Sequence, residues 1–180
     1  MREKNRLVVP VNLEAESSLL GGLIRYPDAI ARVQGLSPEA FYQPHHAEVF
    51  RSLQRLFAAG HPIEAIAVSV EMQSHGVEIS LEDIESLSSS APGPASVRML
   101  ATSVMDCHRL RQLMEAGREI GELAMTPGYN SAEQIDKAQM LLAKLETVRS
   151  RHEPKSITES IVDYLDVLQD LSDGKNPAIR

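Results

Sequence analysis

The sequence of 180 residues has no tryptophan, and aromatic residues make up only 4% of it. Platforms that stack single-stranded bases rely on such rings, so this composition argues against one. An excess of cations is missing too: 18 Lys and Arg stand against 25 Asp and Glu, a net charge of -7. Duplex affinity comes mostly from Lys and Arg neutralising phosphates, so direct nucleic-acid binding is not expected. A single cysteine, Cys107, excludes an internal disulfide and fits a reducing compartment, here expected to be the cytoplasm. Apolar runs are only a few residues long, too short to span a membrane. The charged start Met1-Arg2-Glu3-Lys4-Asn5-Arg6 leads into an apolar stretch that Pro10 breaks, unlike a secretory signal.

Signatures of catalysis are absent as well. Gly174-Lys175 ends like a phosphate loop, but Asn176 follows and no Gly lies five places before Gly174. No nucleophile elbow and no H-E-x-x-H motif occur. The pairs His45-His46 and Cys107-His108 lack helical ligand spacing and a second partner, so a capping or packing role is expected for them. The many carboxylates fall on polar helix faces, where solvent is their ordinary partner. No catalytic, cofactor or metal site is expected in these residues.

What the chain does have is helical periodicity. From Val97 to Arg149 two long amphipathic runs flank one tight turn. Val97, Leu100, Val104, Cys107, Leu110, Met114, Gly117, Gly121 and Ala124 recur at steps of three or four and form one helical stripe. Thr126-Pro127-Gly128-Tyr129 stops the run, and Asn130 with Glu133 reads as a capping box for the next helix. That helix carries Ile135, Ala138, Leu142 and Leu145, with Leu141 and Val148 beside them. So short a connection predicts an αα-hairpin. Two helices cannot cover each other's flanking apolar residues, so a further surface is expected to pack there.

The rest divides around this hairpin. Residues 1–9 read as a flexible tail, 10–92 as a compact helical head, 93–152 as the hairpin, and 153–180 as a linker with an amphipathic helix over 156–173. In the head, Leu19, Leu20, Leu23 and Ile24 mark a first helix whose Gly21-Gly22 pair predicts close approach by another backbone. Val49, Phe50, Leu53, Leu56 and Phe57 mark a helix opened by Pro44 and stopped at Gly60. Ile63 to Gln73 reads as a helix with Ile66, Val70 and Met72 or Val68 inward, stopped by Gly76; its β-branched residues also allow a strand. Ser80 caps a last short helix, and Ser88 to Pro94 reads as a linker. The fold class expected is all-α.

Several blocks then line up with a family. Pro10-Val11-Asn12-Leu13-Glu14-Ala15-Glu16-Ser17-Ser18-Leu19-Leu20-Gly21-Gly22-Leu23-Ile24 resembles the opening of the N-terminal domain of bacterial replicative helicases of the DnaB type. Phe41-Tyr42 with His45-His46 and Val49-Phe50, Gly60-His61-Pro62-Ile63-Glu64, Pro94-Ala95-Ser96-Val97 and Arg118-Glu119-Ile120 resemble later blocks of that domain. Ala40 departs from the family's Asp, and Val77 to Ser89 lacks its usual Gly-Gly-x-x-Tyr-Leu. The resemblance implies a non-catalytic segment, with ATP and Mg bound by an ATPase domain outside this chain. It implies pairing through the hairpins into a collar, a trimer of dimers, that receives primase or a helicase loader.

On these grounds Val97, Leu100, Val104, Met105, Met114, Leu141, Leu145 and Val148 are the expected self-association residues. Ile157, Ile161, Leu165 and Leu168 of the linker helix are expected to dock on the ATPase domain of a neighbouring subunit. A free-standing adaptor or decoy that joins or inhibits a helicase ring remains the alternative reading.

Overall fold

The computed structural model describes residues 8–152 apart from 34, 90 and 127–129, with side chains described as far as Leu145. Residues 1–7 of the expected tail, the turn at Pro127-Gly128, the side chain of Val148 and the linker helix with Ile157, Ile161, Leu165 and Leu168 lie outside that range. Among the described residues there are six α-helices: α1 (Leu13–Arg25), α2 (Pro44–Ala58), α3 (Ala65–Ser74), α4 (Leu81–Ser89), α5 (Val97–Met125) and α6 (Ser131–His152). Short 3-10 segments at Pro27–Val33 and Pro38–Ala40 join α1 to α2. Among the described residues there is no strand, so the all-α expectation holds.

The centre of the head is α1. Its run Leu19 to Ile24 is buried on every side, as a helix apolar all round must be. Asn12 starts it, its Oδ1 accepting the N–H of Ala15 at 3.0 Å, which satisfies one of the orphan donors of the first turn. The helix packs against α2, α4 and α5. Gly21 and Gly22 make the closest approaches. A Cβ on Gly21 would lie 2.0 Å from the backbone O of Leu87 on α4, and one on Gly22 would lie 3.1 Å from Val97 Cγ2 on α5. The glycine pair is tight packing within the head.

Around α1, α2 contributes Val49, Phe50, Leu53 and Leu56 to the core, with Phe41 stacked at 5.2 Å from Phe50. Phe57, assigned to the same stripe, is exposed. Left-handed glycines follow α2 and α3, with φ +68 at Gly60 and +76 at Gly76, a conformation other residues adopt only with strain. The β-branched segment is helix, and its inward face is Val68, Ser69 and Met72. Ile66 and Val70, expected inward, are 62% and 60% exposed. They stand two positions from Val68, on the opposite side of a helix. Ser80 caps α4 through the N–H of Asp83 at 3.1 Å and donates to its Oδ2 at 2.6 Å.

The Ser-Pro-Gly stretch is a turn and not the edge of the head. Beyond it Val97, Ala101 and Val104 belong to the same core as α1, so the first two turns of α5 are head. The described residues as far as Leu145 belong to one compact unit.

Gly21→Ala drives a methyl into a main-chain carbonyl that cannot rotate away. It is expected to cost at least about 1–3 kcal/mol of stability. Gly22→Ala, which meets only a valine methyl, should cost less. Urea unfolding of the two variants reads the order.

Candidate assembly surface

Past Val104 the helix α5 is less covered, although Ala116 is still buried. Leu110, Leu113, Met114 and Met125 are exposed, and so are Ile135, Met140 and Leu142 on α6. Leu110, Met114, Gly117 and Gly121 share one face of α5, and a Cβ on either glycine would meet nothing within 4 Å. The distal half of the predicted stripe is therefore open in the protomer. Exposed apolar patches mark interaction sites in soluble proteins.

The side of α6 turned to α5 carries half-buried Gln134, Lys137, Ala138, Leu141 and Leu145. A shallow groove between the helices is lined by Leu123, Met140 and Leu141, with Glu119, Glu122, Lys137 and Lys144 among its rim. Ile135 and Leu142, placed on the main stripe by sequence, point outward, and Leu141, placed beside it, points in. Asn130 does start α6, accepting the N–H of Ala132 at 3.1 Å. Glu133 pairs along its own helix with Lys137 at 2.7 Å, so it is engaged in an i,i+4 bridge.

The predicted association residues thus separate into groups. Val97 and Val104 are buried in the protomer's own core, which corrects their assignment to a surface. Their position at the root of α5 against α1 is the reason. Leu100 and Met105 are half-buried against the same core. Leu141 and Leu145 are half-buried on the α5 side of α6, while Met114 is exposed.

Sequence reasoning passed over two residues, one tying α1 to the start of α2 within the head and one tying α5 to the head. Glu16 is 2% exposed. Its carboxylate accepts the backbone N–H of Tyr42 at 2.7 Å and of Gln43 at 3.3 Å, and lies 2.8 Å from His46 Nδ1. Those donors sit at the start of α2, whose own N-cap residue offers no side-chain bond. Burial alone would raise the Glu16 pKa, but the hydrogen bonds from His46, Tyr42 and Gln43 and the charge of His46 outweigh it, and the net shift is downward. His46 is thereby a packed and bonded residue of the core, as expected for it. The signal was legible: Glu16 falls on the stripe of Leu19, Leu20 and Leu23, where a carboxylate needs a partner. The second residue, Arg111 on α5, donates to the main-chain oxygens of Pro10 at 3.0 Å and Ala40 at 2.5 Å.

Residues 8–106, which include the whole head and the root of α5, match the family described as DnaB-like helicase N terminal domain. The chain belongs to this family. Curated relatives called replicative DNA helicase DnaB extend the likeness along nearly the whole chain. That of Mycobacterium leprae is 31% identical over 91% of this chain, and that of Nostoc is 27% identical over 94%. The chain spans only 27% and 20% of the length of those two relatives. The crystal structure of the N-terminal domain of DnaB helicase from Mycobacterium tuberculosis superposes with a TM-score of 0.71 at 31% identity. That superposition covers 76% of this chain and 99% of the other. The DnaB-type N-terminal fold is therefore the frame in which both the buried carboxylate and the open hairpin stand.

Glu16→Ala leaves two N–H groups and His46 without their acceptor and is expected to cost roughly 3–5 kcal/mol. Because the folded pKa of Glu16 is depressed, its contribution is full above the unfolded value and disappears as pH falls through the folded one. The midpoint of thermal unfolding should therefore fall on acidification below the normal carboxylate range. Glu16→Gln should lower it at neutral pH and flatten that dependence.

Proposed function

We propose that this chain serves a replicative helicase as its assembly and docking segment, with the hairpin as the self-association surface. The observation that carries the reading is the open apolar face of Leu110 and Met114 on α5 with Ile135 and Leu142 on α6, distal to a head that is already packed. Pairing of hairpins from two copies would cover it, and such dimers could close into a collar of three. Membership of a family whose relatives are called replicative DNA helicases supports this use. Primase or a helicase loader is the partner proposed for the collar. The apolar stripe Ile157, Ile161, Leu165 and Leu168 is proposed to dock on a neighbouring subunit's ATPase domain. ATP and magnesium chemistry is assigned to that other domain, since this sequence carries no phosphate loop.

Met114→Asp and Ile135→Asp place a carboxylate in the proposed apolar contact, where an unpaired charge costs several kcal/mol. Either change should shift the chain to a smaller species in light scattering at equal concentration, with helix content by circular dichroism unchanged. Ile66→Asp, on the exposed face of α3, serves as the control and should have no effect. Retention of the parent's oligomeric state by both hairpin variants sinks the reading. The purified chain is also expected to show no ATP turnover in a phosphate-release assay.

A further inference from the structure

We propose that Arg111 is a latch that fixes the direction in which α5 leaves the head, a role independent of whether the hairpin self-associates. The core holds α5 through Val97, Ala101 and Val104. Arg111 lies about two turns further on, at 3.6 residues per turn. Its Nη1 donates to Pro10 O at 3.0 Å and its Nη2 to Ala40 O at 2.5 Å, while Cζ lies 5.7 Å from the centroid of the Tyr42 ring. One planar guanidinium thus bridges the strand of chain before α1, the end of a 3-10 segment and the residue before Gln43 that opens α2. A rigid fork of donors with a face that stacks on an aromatic ring suits those three anchors, and a lysine ammonium does not.

The anchors are themselves fixed. The Tyr42 N–H is bonded to buried Glu16. Asn12, two residues after Pro10, caps α1 and donates from Nδ2 to Ser103 Oγ on α5 at 3.1 Å. Farther along α5, Arg118 turns to Glu115 and Glu122 of its own helix. Without the latch, α5 keeps its core contacts and its packing on the two 3-10 segments but loses the hydrogen bonds that restrain its tilt beyond them.

Nitroxide labels on Gln73→Cys of α3 and Ala124→Cys near the end of α5, both exposed positions, read that angle in a Cys107→Ser background. Dilution with unlabelled chain restricts double electron–electron resonance to pairs within one chain. The parent should give one narrow distance peak. Arg111→Ala should replace it with a broad distribution, and Arg111→Lys should fall between. Arg109→Ala, which loses a pair with Asp106 on the same helix, should keep the narrow peak. An unchanged distribution in Arg111→Ala overturns the proposal, as does equal broadening in Arg109→Ala. If circular dichroism shows that Arg111→Ala does not fold, Arg111→Lys decides: broadening supports the latch and the parent's narrow peak overturns it.

Discussion

Glu16 carries its charge into the interior of the head, and the junction of α1 with α2 is built on meeting its needs. A carboxylate withdrawn from water costs several kcal/mol unless its oxygens are bonded. Here two main-chain N–H groups and His46 supply those bonds. The same contact serves α2, because a negative charge at a helix N-terminus is favourable to the peptide dipoles. Since Gln43 supplies no cap of its own, the start of α2 is completed by a residue of α1. Isolated helices of this length are marginal in water, so α2 takes its order from α1.

The second constraint is steric. Gly21 lets α4 approach the central helix more closely than any side chain would permit, and Gly22 lets α5 pack tightly against it. These approaches place α4 and α5 against α1, while α3 packs on α2 and α4. The consequence for α5 is a division along its own length. Its first turns complete a core, and its distal turns offer Leu110 and Met114 to whatever lies outside.

Much of this was legible in the sequence where the signal is local. The stops at Gly60 and Gly76 are left-handed glycines, the Ser80 cap is made, and the glycine pair marks a close approach. Facing was harder to read. In α3, Ile66 and Val70 are as apolar as Val68 and Met72, so composition cannot say which side is inward. In α6 the apolar residues surround too much of the helix for a single stripe, and it is Leu141, not Leu142, that lines the groove beside α5. The roles of Val97 and Val104 were missed because a helix shared by head and hairpin carries one continuous pattern across both. Arg111 was invisible for another reason: two of its partners are main-chain carbonyls, which leave no mark in a sequence.

The length of α5 has a geometric consequence. Its 29 residues make a rod roughly 43 Å long, of which the part beyond Arg111 overhangs by about 20 Å. A cantilever converts angle at its root into displacement at its tip. A tilt of about 10° where α5 leaves the head would carry the far end of the helix sideways by roughly 4 Å over that overhang, about two-thirds of the ~5.4 Å pitch of one helical turn. Repeated around a closed ring, such an offset would accumulate at every joint. The position of the tip is therefore governed by packing at the root, where Val97, Ala101 and Val104 lie in the protomer's own core.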